Sequence, residues 1–134
     1  MRLSLALLAD YANVSREGKL NIMGIFGQIQ AFQFPAVHAQ MHLVLSLEAT
    51  AFDTGTHEFN IAFIDEDGHE LLAMTGVVQF PESRAGESVA ANQILALNGM
   101  VFAKAGTYEF VIRTKDEELG RVPLRVSALS VAPR

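Results

Sequence analysis

The chain has 134 residues, half of them apolar, with 10 basic and 15 acidic side chains, a formal charge of -5 and no cysteine. One domain of this length buries roughly 60% or more of its unfolded surface and needs no staple. Lack of cysteine removes disulfides, thiolate metal sites and cysteine nucleophiles, and suits a reducing compartment, so a cytoplasmic location is expected. The acidic balance and scattered Lys and Arg argue against nucleic acid, and the absence of a polybasic cluster or an apolar run of about 18 residues argues against a membrane.

Residues 1–11 read either as a secretory signal or as a first strand. The apolar run stops at Asp10, Leu7 stands where a small residue would precede cleavage, and residues 13–18 form a polar turn. A strand fits better. Leu3, Leu5, Leu7 and Ala9 would line one buried face, and Tyr11 shares their parity. Leu20 to Phe26 supplies a second strand after the Gly18 turn. Ile22 and Ile25 fall on opposite faces there, so a bulge or close backbone approach is expected at Gly24.

Residues 27–37 carry no ionised side chain; three glutamines alternate with Ile29, Phe32 and Phe34, followed by Pro35 and Val37. A solvent-facing connection normally carries charge. The segment therefore either caps the core or offers Ile29, Phe32, Phe34, Pro35 and Val37 to a protein partner.

Strict alternation over residues 41–49 gives a half-buried strand, with His42, Ser46 and Glu48 on the solvent face. Phe59, Ile61 and Phe63 repeat the pattern. Asp65-Glu66-Asp67-Gly68 then makes a tight hairpin turn, and Leu72, Met74 and Val78 return. Residues 89–101 hold apolar side chains at both parities, which fits a strand buried on two sides and competes with helix. Tyr108, Phe110 and Ile112 lead into a polar reversal at residues 115–118, after which Val122, Leu124, Val126 and Ala128 run back. Pro123 lacks an amide donor and places its strand at an edge or its amide position on an open flank.

No repeat or composition break divides the chain, so residues 1–134 read as a single domain. About eight strands with short turns and no amphipathic helix predict an all-β fold, an antiparallel β-sandwich of immunoglobulin-like or jelly-roll topology.

Chemistry is harder to find. The acidic turn at Asp65 fails as a calcium loop, because its fifth position is His69 and its twelfth is Gly76. The acidic residues Asp116, Glu117 and Glu118 belong at the opposite end of the sandwich. His38, His42, His57 and His69 show no metal-ligand spacing and read as exposed. No nucleophile elbow is present, and the Gly24 to Gly27 stretch matches no phosphate loop. Tryptophan is absent, and both tyrosines fall on inward parities, which disfavours a glycan platform. No catalytic residue, metal or cofactor is expected.

Residues 105–110, Ala-Gly-Thr-Tyr-Glu-Phe, resemble the entry to the penultimate strand of immunoglobulin-like sandwiches. There a corner tyrosine, here Tyr108, bonds back to nearby backbone. Across its length the chain resembles an uncharacterised family of small bacterial proteins. The resemblance rests on residues 5–12 (Leu-Ala-Leu-Leu-Ala-Asp-Tyr-Ala), residues 18–26 (Gly-Lys-Leu-Asn-Ile-Met-Gly-Ile-Phe) and residues 122–126 (Val-Pro-Leu-Arg-Val). It implies a domain of unknown function and brings no catalytic residues.

The expectation is a non-enzymatic module for protein interaction or homo-assembly. The alternative is a small-ligand or metal-binding module, hydrolytic in one version, with histidines and carboxylates gathered from distant loops into a concave pocket.

Overall fold

The computed structural model describes residues 1–84 and 86–129. Nine strands are found among them: β1 (Arg2–Val14), β2 (Leu20–Phe26), β3 (Gln28–Ala31), β4 (Ala36–Ala49), β5 (Gly55–Ile64), β6 (Glu70–Phe80), β7 (Val89–Phe102), β8 (Gly106–Arg113) and β9 (Glu118–Ala128). A single 3-10 turn, Ala51–Asp53, joins β4 to β5. One sheet has the order β2-β1-β4-β7 and the other β3-β9-β8-β5-β6. The fold is the expected all-β sandwich, with one strand more than the alternation marked out.

The additional strand comes from the amide-rich segment. β2 leaves the first sheet at Gly27, and β3 joins the second by pairing parallel with β9, Gln28 to Arg125 through Ala31 to Ala128. Every other pairing is antiparallel. One continuous stretch of chain therefore spans both sheets along one side of the sandwich.

Local turn chemistry behaves as the sequence requires. The β5–β6 hairpin closes through Gly68, whose φ of 83° puts it in the left-handed region, and Gly68 N–H donates to the Asp65 carbonyl at 3.1 Å. Tyr108 donates its hydroxyl to the Lys104 carbonyl at 2.7 Å, the corner bond expected of it. Gly24 has φ 71°, and a Cβ there would lie 2.3 Å from Oδ2 of Asp10, so the close approach anticipated at this glycine is present. Pro123 lies in a strand with neighbours on both sides, yet β3 spans only residues 125–128 of β9. Arg125 N–H donates toward that flank, to Gly27 O. Two residues earlier the same side is open, and the missing donor of Pro123 faces it.

The core lies between the sheets. Phe63 is its hub, with Phe110 at 4.6 Å, Tyr108 stacked at 5.3 Å and Phe102 edge-on at 6.0 Å between ring centroids. Met41, Leu43, Leu45 and Leu47 supply the first sheet's share; Phe59, Ile61, Ile112 and Leu124 supply the second's.

The first strand departs from regular alternation. Leu3 pairs with Leu47 but Leu5 pairs with Ser46, so β1 carries one residue more than β4 across this step. The bulge reverses every side chain after it. Leu3, Ala6 and Leu8 pack into the core, whereas Leu5, Leu7 and Ala9 point to the other face. Tyr11 likewise is not inward but 44% exposed. The expected inward row of Leu3, Leu5, Leu7 and Ala9 is thus corrected: a regular period of two fails at one inserted residue.

Strand β4 is also more buried than its alternation predicts. Its supposed solvent face holds Val44, fully buried, with His42 and Ser46 nearly so. Strand β7 resolves as strand rather than helix, with Leu95 and Leu97 toward the core and Ile94 on the opposite face beside Val44.

Gly76 sits against the Phe59 ring, and a Cβ there would fall 2.2 Å from Cζ of that buried side chain. Gly76→Ala is expected to destabilise the fold by about 1–3 kcal/mol through overpacking. Gly27→Ala, at a glycine with nothing within 4 Å, is expected to stay within about 0.5 kcal/mol. Urea unfolding of the two variants beside the parent checks the contrast.

Candidate functional site: the outer face of the four-stranded sheet

The register lays out the outer face of the first sheet in rows. Leu5, Ser46 and Asn92 make one row, Leu7, Val44 and Ile94 the next, and Ile25, Ala9, His42 and Ala96 a third. Tyr11 and Met23 are paired at the far end, and the near end is closed by an Arg2–Glu48 ion pair. Between these ends no side chain is charged. Ala9 and Val44 have no exposed surface even though, among the described residues, no further layer of chain lies over this face; the larger neighbours on each side close over them. Met23 and Ile25, on edge strand β2, are 66% and 65% exposed. Val37 and Val101, paired across β4 and β7, continue the exposed apolar surface.

His42 stands in the middle of this face. Its Nδ1 accepts the Ala12 backbone N–H at 2.9 Å, so the neutral ring carries its own proton on Nε2. The ring packs against Tyr11 with centroids 5.2 Å apart. Pairing of β1 with β4 ends at Ala9 and His42, and the imidazole takes over the amide that the ladder no longer reaches. This histidine is a positioning group that holds the end of β1 against β4.

The other histidines do not gather around it. His38 lies 5.8 Å from the Phe26 ring, and His57 hydrogen-bonds the Asp53 carbonyl at 2.5 Å and packs on Phe80. His69 is exposed; the remaining three are half-buried or buried, which corrects the reading of all four as exposed. Of the segment at residues 27–37, Ile29 and Phe34 pack against the core, while Phe32, Pro35 and Val37 are exposed. Both proposed roles for this segment thus have residues suited to them.

Ligand-type atoms of Asp65, Asp67 and His69 lie within 4.8 Å of one another, the one such grouping among the described residues. Its geometry is that of a turn. Asp65 Oδ1 accepts the N–H groups of Asp67 and His69 at 3.0 and 2.9 Å, and Oδ2 lies 3.2 Å from His69 Nδ1. Glu66 accepts the Thr107 N–H at 2.6 Å, and Lys104 lies 3.9 Å from Asp67. The reversal at residues 114–117 is at the other end of β8, as expected, beside Asp53 and His57. The fold does not bring the two acidic turns together.

An all-β, two-sheet sandwich with an uncharged outer sheet face defines the class of this protein. The chain belongs to a family of unknown function, DUF6941, whose model matches residues 4–127. Searches of curated proteins and of solved structures give no match. Among the described residues no helix is long and apolar enough to cross a membrane.

Sequence reasoning missed the outer face because it placed Leu5 and Leu7 inside and His42 in solvent. Two signals were available: Val44, a valine at a supposedly solvent-facing position between His42 and Ser46, and Ile94, out of step with Leu95 and Leu97.

Removing the His42 ring leaves the nearly buried Ala12 N–H without its acceptor, which costs about 1–3 kcal/mol. His42→Ala is therefore expected to lower the melting temperature more than His42→Asn, whose side-chain oxygen can occupy the Nδ1 position. Equal losses in the two variants would show that the acceptor does not matter.

The Asp65 carboxyl is held below its ordinary value, first by the His69 backbone N–H and then by the His69 side chain and the Asp67 N–H. A depressed carboxyl contributes stability above its unfolded value, near 4, and loses it as pH falls through the folded value. Asp65→Asn is expected to flatten the acid limb of melting temperature against pH, and an unchanged limb would refute the assignment.

Proposed function

We propose that this chain is a non-enzymatic interaction module whose contact surface is the outer face of the four-stranded sheet and whose partner is a protein surface. The uncharged face carries the reading. Between Leu5 and Tyr11 its four strands, about 4.8 Å apart, and six residue steps of about 3.3 Å along β1 give roughly 19 by 20 Å, or about 380 Å². That lies within the range for the largest apolar patch of a monomer, about 300–600 Å², and is about half of the roughly 800 Å² each partner contributes to a standard interface. A chain with net charge -5 that keeps ionised groups off this face between Leu5 and Tyr11 presents a surface whose burial there costs little desolvation. Exposed Tyr11, Met23 and Ile25 are anchors of the kind that dominate binding energy.

The alternative, a small-ligand or metal module, has the grouping of Asp65, Asp67 and His69 in its favour. The Asp65 carboxylate is already occupied by donors of its own turn, so the docking reading stands first.

Met23→Asp together with Ile25→Asp tests the proposal, since both side chains are largely exposed and the substitutions leave the core untouched. With the melting temperature unchanged, a protein co-purified by the parent from its native cells is expected to be lost by the double variant. Identical recovery by parent and variant would overturn the reading.

A further inference from the structure

The sandwich has four edge strands; β2 and β3 are protected along their length and β6 at its start. β3 is four residues long; β2 is kinked at Gly24, where Asp10 crowds the backbone, and runs on into β3. β6 pairs with a bulged stretch of β5, and Glu70 at its start lies 3.8 Å from Arg113. Short length, kinks and charge are the devices by which sheet edges avoid further pairing. β7 has none of them over its first ten residues; its one kink is Gly99, φ 66°, near its end. Residues 89–98 contain no charge, no proline and no break in register with β4 from Gln40–Asn98 to Ala49–Val89. Among the described residues no backbone hydrogen bond reaches β7 except from β4, so a regular row of N–H and C=O groups about 33 Å long lacks a protein partner along one flank.

We infer that β7 pairs antiparallel with β7 of a second copy, joining two four-stranded sheets into one of eight strands. This deepens the interaction reading and rests on it. The occupant follows from the chemistry of the edge and from self-complementarity. Only an extended backbone satisfies such a row, and a two-fold contact makes the strand its own partner. With the axis at Leu95, Ile94 lies opposite Ala96 of the second copy, a large side chain beside a small one. Asn92 lies opposite Asn98, where two amides can bond. No charge meets a like charge anywhere along the ladder, in a protein whose net charge otherwise opposes self-association.

Ile94 and Ala96 both lie on the outer face, opposite Val44 and His42, so their substitution tests the register without entering the core. Light scattering on the eluting protein across micromolar concentrations is expected to give twice the 14.6 kDa chain mass. The pair I94E and A96E sets glutamate against glutamate across the axis and is expected to yield monomer. The pair I94E and A96K sets glutamate against lysine and is expected to restore the dimer. Amides of β7 should exchange at least tenfold faster in the monomeric variant, with circular dichroism unchanged.

A parent that is monomeric at every concentration overturns the inference, as does a dimer indifferent to both pairs of substitutions. Met23→Asp with Ile25→Asp, on the opposite edge of the sheet, is expected to leave the dimer intact. Loss of the dimer in that variant alone would keep the outer-face reading and remove the β7 edge.

Discussion

One inserted residue in β1 decides which side chains build this protein's core. Between Leu3 and Leu5 the strand gains a residue on β4, and because side chains alternate with period two, every later position changes face. Leu8 comes to lie opposite Leu43 in the core, and Leu7 opposite Val44 outside it. Without the bulge Leu5, Leu7 and Ala9 would compete for the interior, while the outer face would receive Ala6 and Leu8. With it both faces of the sheet's centre are apolar, the inner covered by the second sheet and the outer by none of the described residues. The first leucine stays committed to the core: Leu3 crosses to Gly120 of β9, where a Cβ would lie 2.8 Å from its methyl.

From that reversal the candidate site follows. Tyr11 reaches the outer face because it shares the parity of Ala9, and there it meets His42. The imidazole in turn supplies the acceptor that β1 needs once its ladder with β4 ends. A side chain without an acceptor at position 42 would leave the Ala12 amide unpaired in a nearly dry place, so the imidazole nitrogen is part of the scaffold of this face.

What could be read beforehand divides by range. The hairpins at Gly68 and at residues 114–117, the Tyr108 bond and the close approach at Gly24 each depend on residues near in sequence, and local chemistry determines them. The bulge in β1 is set by how Leu47 and Ser46, more than forty residues away, meet the first strand. Parallel pairing of β3 with β9 joins residues nearly a hundred apart. Periodicity alone has no access to either, and that is why the sandwich was legible while its outer face was not. Val44 and Ile94 were the local trace of that face, two branched side chains where a one-sided strand would carry polar ones.

The distribution of charge bears on what such a surface can do. Net charge of -5 keeps copies apart at long range, and screening by salt confines that repulsion to about 8 Å under physiological conditions. Inside that distance contact is governed by what the approaching surfaces carry. Over the outer rows and along β7 they carry no ions, so neither approach leaves a buried unpaired charge. Approach by the second sheet is different: its outer side holds Arg121 bonded to Glu118 and Glu109, and its free edge begins with Glu70 near Arg113. Bringing either against an apolar surface strips water from ion pairs at a cost that their mutual attraction does not reliably repay. The outer rows of the four-stranded sheet are thus the uncharged half of the sandwich and the five-stranded sheet its ion-paired half.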